Sequence, residues 1–134
     1  MNTDRYGTVS IWLGNFKSLR DLEEYVSTKY TDDGESIDSQ FERDFSIDYL
    51  DKDFLEINML HKPMNEFSKI IEEHSYYNSI ITSYTKQNLD KLSAMYNSSI
   101  LAYDINYDKY VNQTKCGETR LTFIGNFQYD KRDY

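Results

Sequence analysis

The apolar positions along the chain predict four strands. Residues 54–60 alternate most regularly between apolar and polar side chains, which is typical of a strand with one solvated face. Residues 8–13 and 120–125 are rich in β-branched and aromatic side chains, and residues 99–103 form a continuous apolar run suited to a central strand that is buried on both faces. We expect the last strand to pair antiparallel with its predecessor, and the chain to fray from about Tyr129.

Apolar residues at helical spacing predict helices between these strands. One amphipathic helix is expected from an N-cap at Ser18 to about Tyr30. Two phenylalanines four positions apart predict a short helix over residues 39–45. Pro63 is expected to start the next element, an apolar stripe over about 20 residues that forms one long or two short helices. A further turn of helix is expected near residues 88–96.

These elements together predict a single α+β domain over residues 1–134. The length allows one hydrophobic core and is short for two ordinary domains. We expect one sheet of about four strands, with helices packed mainly on one face and an antiparallel strand pair at the C-terminal end. Residues 31–38 and 104–118 are polar and are expected to be loops.

Charge narrows the choice of partner. The chain has 23 acidic and 15 basic residues, a net charge of −8, which is the wrong sign for holding nucleic acid or an anionic membrane. A protein partner with a basic surface is favoured. The alternative is that the acidic residues only keep the chain soluble.

Cysteine and histidine are scarce. The single cysteine, Cys116, excludes an intramolecular disulfide, and with two histidines it offers too few ligands for a typical zinc site. No secretory signal pattern opens the sequence, and no run approaches the ~18 apolar residues of a membrane span. We therefore expect a reduced, cytoplasmic protein with no bound metal or cofactor, as a monomer or a homodimer.

Motifs for catalysis are weak. No G-x-S-x-G frame or phosphate-binding glycine loop is present. Cys116 could be paired with His61 or His74, but His74 has the spacing of a packed residue. Acidic pairs such as Asp51 and Asp53 could serve a hydrolase, although such pairs arise by chance in an acidic chain. We expect no catalytic residues and keep a small carboxylate-dependent hydrolase as the least favoured alternative.

Two acidic clusters are the candidate partner-binding residues. Both occur in predicted loops, where a partner can reach them, and the first lacks the spacing of a calcium loop. The clusters are Asp32, Asp33, Glu35 and Asp38, and then Asp48, Asp51 and Asp53.

Aromatic side chains often dominate binding energy, so Trp12 and Tyr103 are candidate anchors. Trp12 is expected to face away from Val9, Ile11 and Leu13. Packing in the core under a helix is the equally weighted alternative for Trp12. If helices cover the other face, the residues that share its side of the sheet are Glu56 and Asn58, with Tyr103 or Thr122.

Several segments resemble one family of bacterial proteins. Val9-Ser10-Ile11-Trp12-Leu13-Gly14-Asn15-Phe16, followed by Leu22-Glu23-Glu24-Tyr25 and an acidic turn, resembles the opening of the immunity protein 22 family. Phe41-Glu42-Arg43-Asp44-Phe45-Ser46-Ile47, Asp51-Lys52-Asp53-Phe54-Leu55-Glu56 and Phe123-Ile124-Gly125-Asn126-Phe127 resemble its middle and end. Ser46 stands where the resemblance leads us to expect glycine.

The resemblance implies an immunity protein that binds and neutralises the toxin domain of a bacterial polymorphic toxin system. It carries no catalytic residues over to this chain. An acidic immunity protein is suited to the cationic cleft that a nuclease toxin needs for phosphates. The alternative is a regulatory module that binds a different protein.

Overall fold

The computed structural model describes residues 5–48, 50–87, 92–116 and 119–133, and the side chains of these residues except 115, 116 and 119. Within these ranges the chain forms seven strands and four α-helices. In chain order they are β1 (Tyr6–Asn15), α1 (Leu19–Val26), β2 (Lys29–Tyr30), β3 (Ser36–Ile37), α2 (Gln40–Asp44), β4 (Leu55–Met64), α3 (Phe67–Ile70), α4 (Tyr77–Lys86), β5 (Tyr96–Tyr103), β6 (Gln113–Cys116) and β7 (Thr119–Asp130).

The main sheet has five antiparallel strands in the described chain, where we expected about four. Their order is β4-β5-β1-β7-β6, so β1 lies at the centre between β5 and β7. The predicted α+β class and the C-terminal antiparallel pair are confirmed. The pair is β6 with β7. Because β1 separates β7 from β5 (residues 96–103), the predicted pairing of residues 99–103 with residues 120–125 is wrong.

Helices cover both faces of the sheet, so the expectation that they pack mainly on one face is wrong. Helices α1 and α2 pack on the face that carries Trp12, whereas α3 and α4 pack on the face that carries Val9, Ile11 and Leu13. The physical reason is visible in β1, where Val9, Ile11 and Leu13 on one face and Ser10 and Trp12 on the other are all completely buried. A strand of this kind needs cover on its two sides.

Two predicted helix boundaries are also wrong. Helix α1 has the predicted cap, in which Ser18 Oγ accepts the backbone N–H of Asp21, but it ends at Val26 and the chain then enters β2. Pro63 lies near the end of β4 and does not start a helix. In the edge strand β4 the residues between Met59 and Met64 are not paired with β5, so a residue without a backbone N–H at position 63 costs the sheet no ladder hydrogen bond.

The remaining predicted helices are partly confirmed, whereas the predicted loop and the frayed C-terminal end are not. The short helix over residues 39–45 is present as α2, and the apolar stripe after Pro63 forms two short helices, α3 and α4. Of the turn of helix expected near residues 88–96, residues 88–91 lie outside the described residues, residues 92–95 are not helical, and Tyr96 starts β5. The expected loop over residues 104–118 contains β6. Tyr129 is buried within β7 and is not frayed.

Ser46 occupies a turn that normally suits glycine. Its φ angle is +57°, in the left-handed region that residues with a Cβ rarely adopt. The turn still forms, because the backbone N–H of Ile47 donates to the carbonyl of Glu42 at 2.8 Å. The glycine expected from the family resemblance is therefore replaced by serine without loss of the turn.

Within the described residues the longest helix is α4, with 10 residues. That is about half the ~20 residues that a membrane-spanning helix needs.

Candidate partner-binding surface and pocket

The first acidic cluster lies on a two-stranded hairpin. Strands β2 and β3 pair outside the main sheet, and we call residues 29–38 the acidic hairpin. Its turn is closed by the backbone N–H of Thr31, which donates to the Glu35 carbonyl at 2.8 Å, and Gly34 provides a φ angle of +85°. Every residue from 31 to 38 is exposed. The four carboxylates of this cluster therefore all lie in solvent.

Two apolar side chains accompany these carboxylates. Tyr30 is 69% exposed and Ile37 is 39% exposed. Tyr30 pairs with Ser36 and Ile37 pairs with Lys29 in the hairpin register, so the two side chains lie on opposite faces. Neither residue was among the partner-binding candidates predicted from the sequence. In the sequence, each is a large apolar side chain next to an acidic turn. That pattern indicates an exposed position only when the hairpin is known.

The second acidic cluster precedes β4. Asp48 is almost fully exposed, and its carboxylate lies 3.5 Å from Lys109 Nζ. Asp51 has a structural role, since its Oδ1 accepts the backbone N–H of Asp53 at 3.0 Å and caps the 3-10 turn Lys52–Phe54. Asp53 is exposed. Asp48 and Asp53 are thus accessible, and Asp51 is half-buried.

Lys52 connects the bases of both acidic clusters. Its Nζ donates to the Val26 carbonyl at 2.7 Å and to Glu42 Oε1 at 3.0 Å. Val26 is the last residue of α1, before the acidic hairpin. Ser39 directly follows the acidic hairpin and forms a capping box with Glu42. Burial opposes ionisation of Glu42, but hydrogen bonds from Ser39 and Lys52 outweigh it and lower its pKa. The two acidic segments consequently share one attachment point.

Trp12 lies in the core and is completely buried. Its ring packs 4.8 Å from the ring of Phe41 and 5.3 Å from that of Tyr107, measured between centroids. The core alternative therefore describes Trp12, and in the free protein its ring is not accessible to a partner.

The expected neighbours of Trp12 were also wrong. Residues paired across antiparallel strands share a face, and Leu13 pairs with Ser99 and Thr122. Asn58 pairs with Ser99, and Tyr103 belongs to the core that contains Leu13. Glu56 contacts Tyr103 on this same side. All four residues that we expected beside Trp12 are on the opposite face of the sheet.

Tyr103 forms part of an open pocket, although its side chain is largely buried. We call this cavity of about 530 Å³ the tyrosine pocket. Its lining includes Phe54, Glu56, Tyr76, Tyr103, Tyr129 and Lys131. Asp53 and Asp104 complete its acidic side. The pocket thus brings together Tyr103 and Asp53, two of the candidate residues from the sequence.

Glu56 is the most strongly perturbed carboxyl group of this pocket. Its Oε1 lies 2.8 Å from Tyr103 Oη and 3.2 Å from His74 Nδ1, and it accepts the backbone N–H of Ser75 at 3.1 Å. Its Oε2 accepts from Ser75 Oγ at 2.6 Å. Burial opposes ionisation, but the hydrogen bonds from His74, Ser75 and Tyr103 outweigh it and lower the pKa of Glu56 to about 2. Glu56 is therefore a carboxylate at physiological pH.

The same network has the atom order of a serine hydrolase triad. His74 Nε2 lies 2.6 Å from Ser99 Oγ, and its Nδ1 faces Glu56. A nucleophile must be reached by substrate, and Ser99 is only 1% exposed in the middle of β5. This arrangement is best described as a buried hydrogen-bond network between β4, β5 and the segment before α4.

Metal-binding groups and the single cysteine are the remaining candidates for chemistry. No group of three or more histidine, cysteine, aspartate or glutamate side chains among them is arranged to hold a metal ion. The side chain of Cys116 lies outside the described part of the structure.

Comparison with known proteins gives one result. A family model described as Immunity protein 22 matches residues 9–130, which is most of the chain and includes both acidic clusters and every residue that lines the tyrosine pocket except Lys131. This match confirms the resemblance found in the sequence. The comparisons found no matching curated protein and no matching solved structure.

Proposed function

The chain belongs to the Immunity protein 22 family, and from that membership we propose that it binds and neutralises a cognate bacterial toxin domain. The family description gives an immunity role in general terms. The finer proposal is that neutralisation occurs by direct binding, without catalysis, and that the partner presents a basic surface.

The observation that carries this proposal is the acidic hairpin. Eight consecutive exposed residues contain Asp32, Asp33, Glu35 and Asp38, on a segment whose strands form a two-stranded unit separate from the main sheet. Exposed charges of one sign accelerate encounter with a surface of opposite charge. A nuclease toxin is the partner class that fits best, because its substrate requires a cationic cleft.

Holding the partner requires more than rim charges. Buried aromatic and apolar anchors usually supply most of the binding free energy. Tyr30 and Ile37 are exposed large side chains within the acidic hairpin, and we propose them as anchors in place of Trp12. Tyr103 stays a candidate through the tyrosine pocket.

Hydrogen bonds fix the position of the two acidic segments relative to each other. Lys52 joins the end of α1 to Glu42 and to the Asp48–Asp53 segment through hydrogen bonds of 2.7 and 3.0 Å. A surface held in its bound geometry loses less conformational entropy on association. We propose that both acidic segments meet one continuous basic surface of the toxin.

The test uses the toxin encoded beside this protein and two charge-matched variants. The first variant is D32N/D33N/E35Q/D38N in the acidic hairpin. The second is E23Q/E72Q/E73Q/D108N, which neutralises four exposed acids elsewhere. Association rates are measured by stopped-flow at about 20 to 500 mM salt. We expect the hairpin variant to associate at least about tenfold more slowly at low salt and with a weaker salt dependence, and the control variant to lose much less.

Two results would contradict the proposal at different levels. Equal losses in the two variants would mean that net charge acts and that the acidic hairpin is not the steering surface. If the wild-type protein neither binds the neighbouring toxin nor rescues cells that express it, the immunity role itself fails for this toxin.

A further inference from the structure

The walls of the tyrosine pocket are three mutually packed aromatic rings. The centroid of Tyr76 lies 4.7 Å from that of Tyr129 and 5.4 Å from that of Tyr103, and Tyr103 lies 5.2 Å from Tyr129. Phe54, about half exposed, stands at the rim. Clustered tyrosine and phenylalanine rings attract cations through the negative potential of their faces. The walls are therefore suited to a positively charged group with an apolar stem.

Charge in the pocket has the complementary sign. Among the described residues, its lining contains three acidic side chains, Asp53, Glu56 and Asp104, and one basic side chain, Lys131. Burial and the bond to Glu56 raise the pKa of Tyr103, and burial and the bond to Asp104 raise that of Tyr129. The tyrosines consequently stay neutral, and the carboxylates determine the charge of the pocket.

Lys131 already places a cation at this site. Its Nζ lies 3.5 Å from Asp104 Oδ1, while the same oxygen accepts a hydrogen bond from Tyr129 Oη at 2.8 Å. The lysine side chain is more than a third exposed, so it can be displaced without opening the core. It occupies the position that an incoming cation would use.

The backbone is strained at two points of the pocket. Tyr76 and Asp104 have φ angles of +61° and +63°. They are two of the three non-glycine residues with positive φ in the described chain. Aspartate tolerates this region, but a bulky tyrosine rarely does. Such strain persists where the surrounding structure enforces it and is concentrated at binding sites.

From these observations we propose that the tyrosine pocket receives a guanidinium group, supplied by one arginine side chain of the toxin. A planar guanidinium can stack on an aromatic ring while its N–H groups form a parallel pair of bonds to a carboxylate, whereas an ammonium has no planar face to stack. Glu56 lines the pocket, and its Oε2, with one bond from Ser75 Oγ, has remaining acceptor capacity. The identity of the partner rests on the proposed function, whereas the guanidinium chemistry rests on the pocket.

The sharpest test removes the internal cation. Lys131→Gln leaves the carboxylates without their competitor and should tighten toxin binding by about three- to tenfold. Lys62→Gln is the matched control, because Lys62 is an exposed lysine on β4 outside the pocket lining, and it should change affinity by less than about twofold. Affinities are measured by titration calorimetry on the full chain. Equal tightening in both variants would overturn the pocket proposal and indicate a general charge effect.

A second variant removes the central carboxylate. Glu56→Gln should weaken toxin binding by at least about tenfold, with folding verified by circular dichroism. If this variant does not fold, Lys131→Gln and the titration below still decide the proposal.

A titration of the isolated protein tests the pocket independently of the toxin. Arginine amide is titrated into ¹⁵N-labelled protein, and the expected shifts are confined to the pocket residues and stronger in K131Q than in wild type. If wild type binds the toxin but arginine amide shifts nothing and K131Q leaves the affinity unchanged, the pocket proposal is overturned and the proposed function stands. If the toxin does not bind, the proposed function fails, and pocket shifts with arginine amide still support the guanidinium site.

Discussion

The two faces of the sheet are both buried but differ in chemistry. On one face Trp12 packs among Phe41, Phe45 and Tyr107 in an aromatic core beneath α1 and α2. The opposite face is aliphatic at its centre, but towards β4 it contains the network of His74 and Glu56 and opens into the tyrosine pocket. Replacing a whole buried polar network by well-packed apolar side chains is often neutral for stability, although removing one partner from it is costly. We infer that the first face mainly stabilises the fold and that the second also provides a recognition site.

The largest expected effect belongs to the aromatic face. Trp12→Ala removes a completely buried ring, and large-to-small changes of this kind cost about 3–5 kcal/mol. We expect the free energy of unfolding to fall by that amount, measured by urea denaturation.

Trp12→Phe is the milder control. It keeps most of the ring volume, and it removes the indole Nε1–H, which is buried without a hydrogen-bond partner in the described structure. We expect a loss of about 1–2 kcal/mol. A loss below about 1 kcal/mol for Trp12→Ala would contradict the role assigned to this face.

Glu56 on the second face should make stability depend on pH. In the folded protein the pKa of Glu56 is lowered from the ordinary 4.5 to about 2, so folding is more favourable when Glu56 is ionised than when it is protonated. The resulting stability is present above the unfolded pKa and is lost as the pH falls from about 5 to 2. After a discount for its partial exposure, we expect Glu56→Gln to cost about 2 kcal/mol at pH 7.

The measurement is a series of denaturation curves between pH 2 and 7. The wild-type curve should approach that of Glu56→Gln as the pH falls, because protonated Glu56 no longer contributes its charge-dependent bonds. A constant difference between the two proteins over the whole range would show that Glu56 acts only through its shape.

A matched pair of hydroxyl deletions compares the two faces directly. Tyr107 Oη donates to the Phe45 carbonyl at 2.7 Å on the aromatic face, and Tyr103 Oη lies 2.8 Å from Glu56 Oε1 on the other. Replacing either tyrosine by phenylalanine should cost about 1 kcal/mol at pH 7. Only Tyr103→Phe removes a donor that lowers the pKa of Glu56, so its cost should shrink below about pH 4. An equal pH dependence in both variants would contradict this distinction.

The sequence was most informative where a local pattern determines structure. The Ser18 cap, the alternation in β4 and the short helix α2 depend on neighbouring residues, and all three are present. The second covered face was missed, because β1 (residues 6–15), in which residues 9–14 are buried on both faces, was assigned a single layer of helices. The acidic hairpin was missed because strands of two residues leave almost no periodicity.

The tyrosine pocket depends on contacts between distant positions. Glu56 meets His74 18 residues away and Tyr103 47 residues away. The alternation in β4 indicated only that Glu56 lies on the more polar side. Which helix segment covers that side depends on tertiary packing, and no local pattern contains this information. Asp53 and Tyr103 were selected for their residue types, but their meeting in one pocket could not be predicted.

The smallest expected effect on stability belongs to the acidic hairpin, outside both cores. Neutralising Asp32, Asp33, Glu35 and Asp38 changes the net charge from −8 to −4, and all four side chains are exposed. We expect the free energy of unfolding to change by less than about 0.5 kcal/mol. The neutralised variant has less repulsion between its own negative charges, so any change should be a gain in stability at low salt. This gain should vanish near 1 M salt, where the charges are screened. Urea denaturation at two salt concentrations measures both features. A loss above about 1 kcal/mol would mean that these carboxylates stabilise the hairpin, and slower toxin association in the variant could then be attributed to unfolding instead of steering.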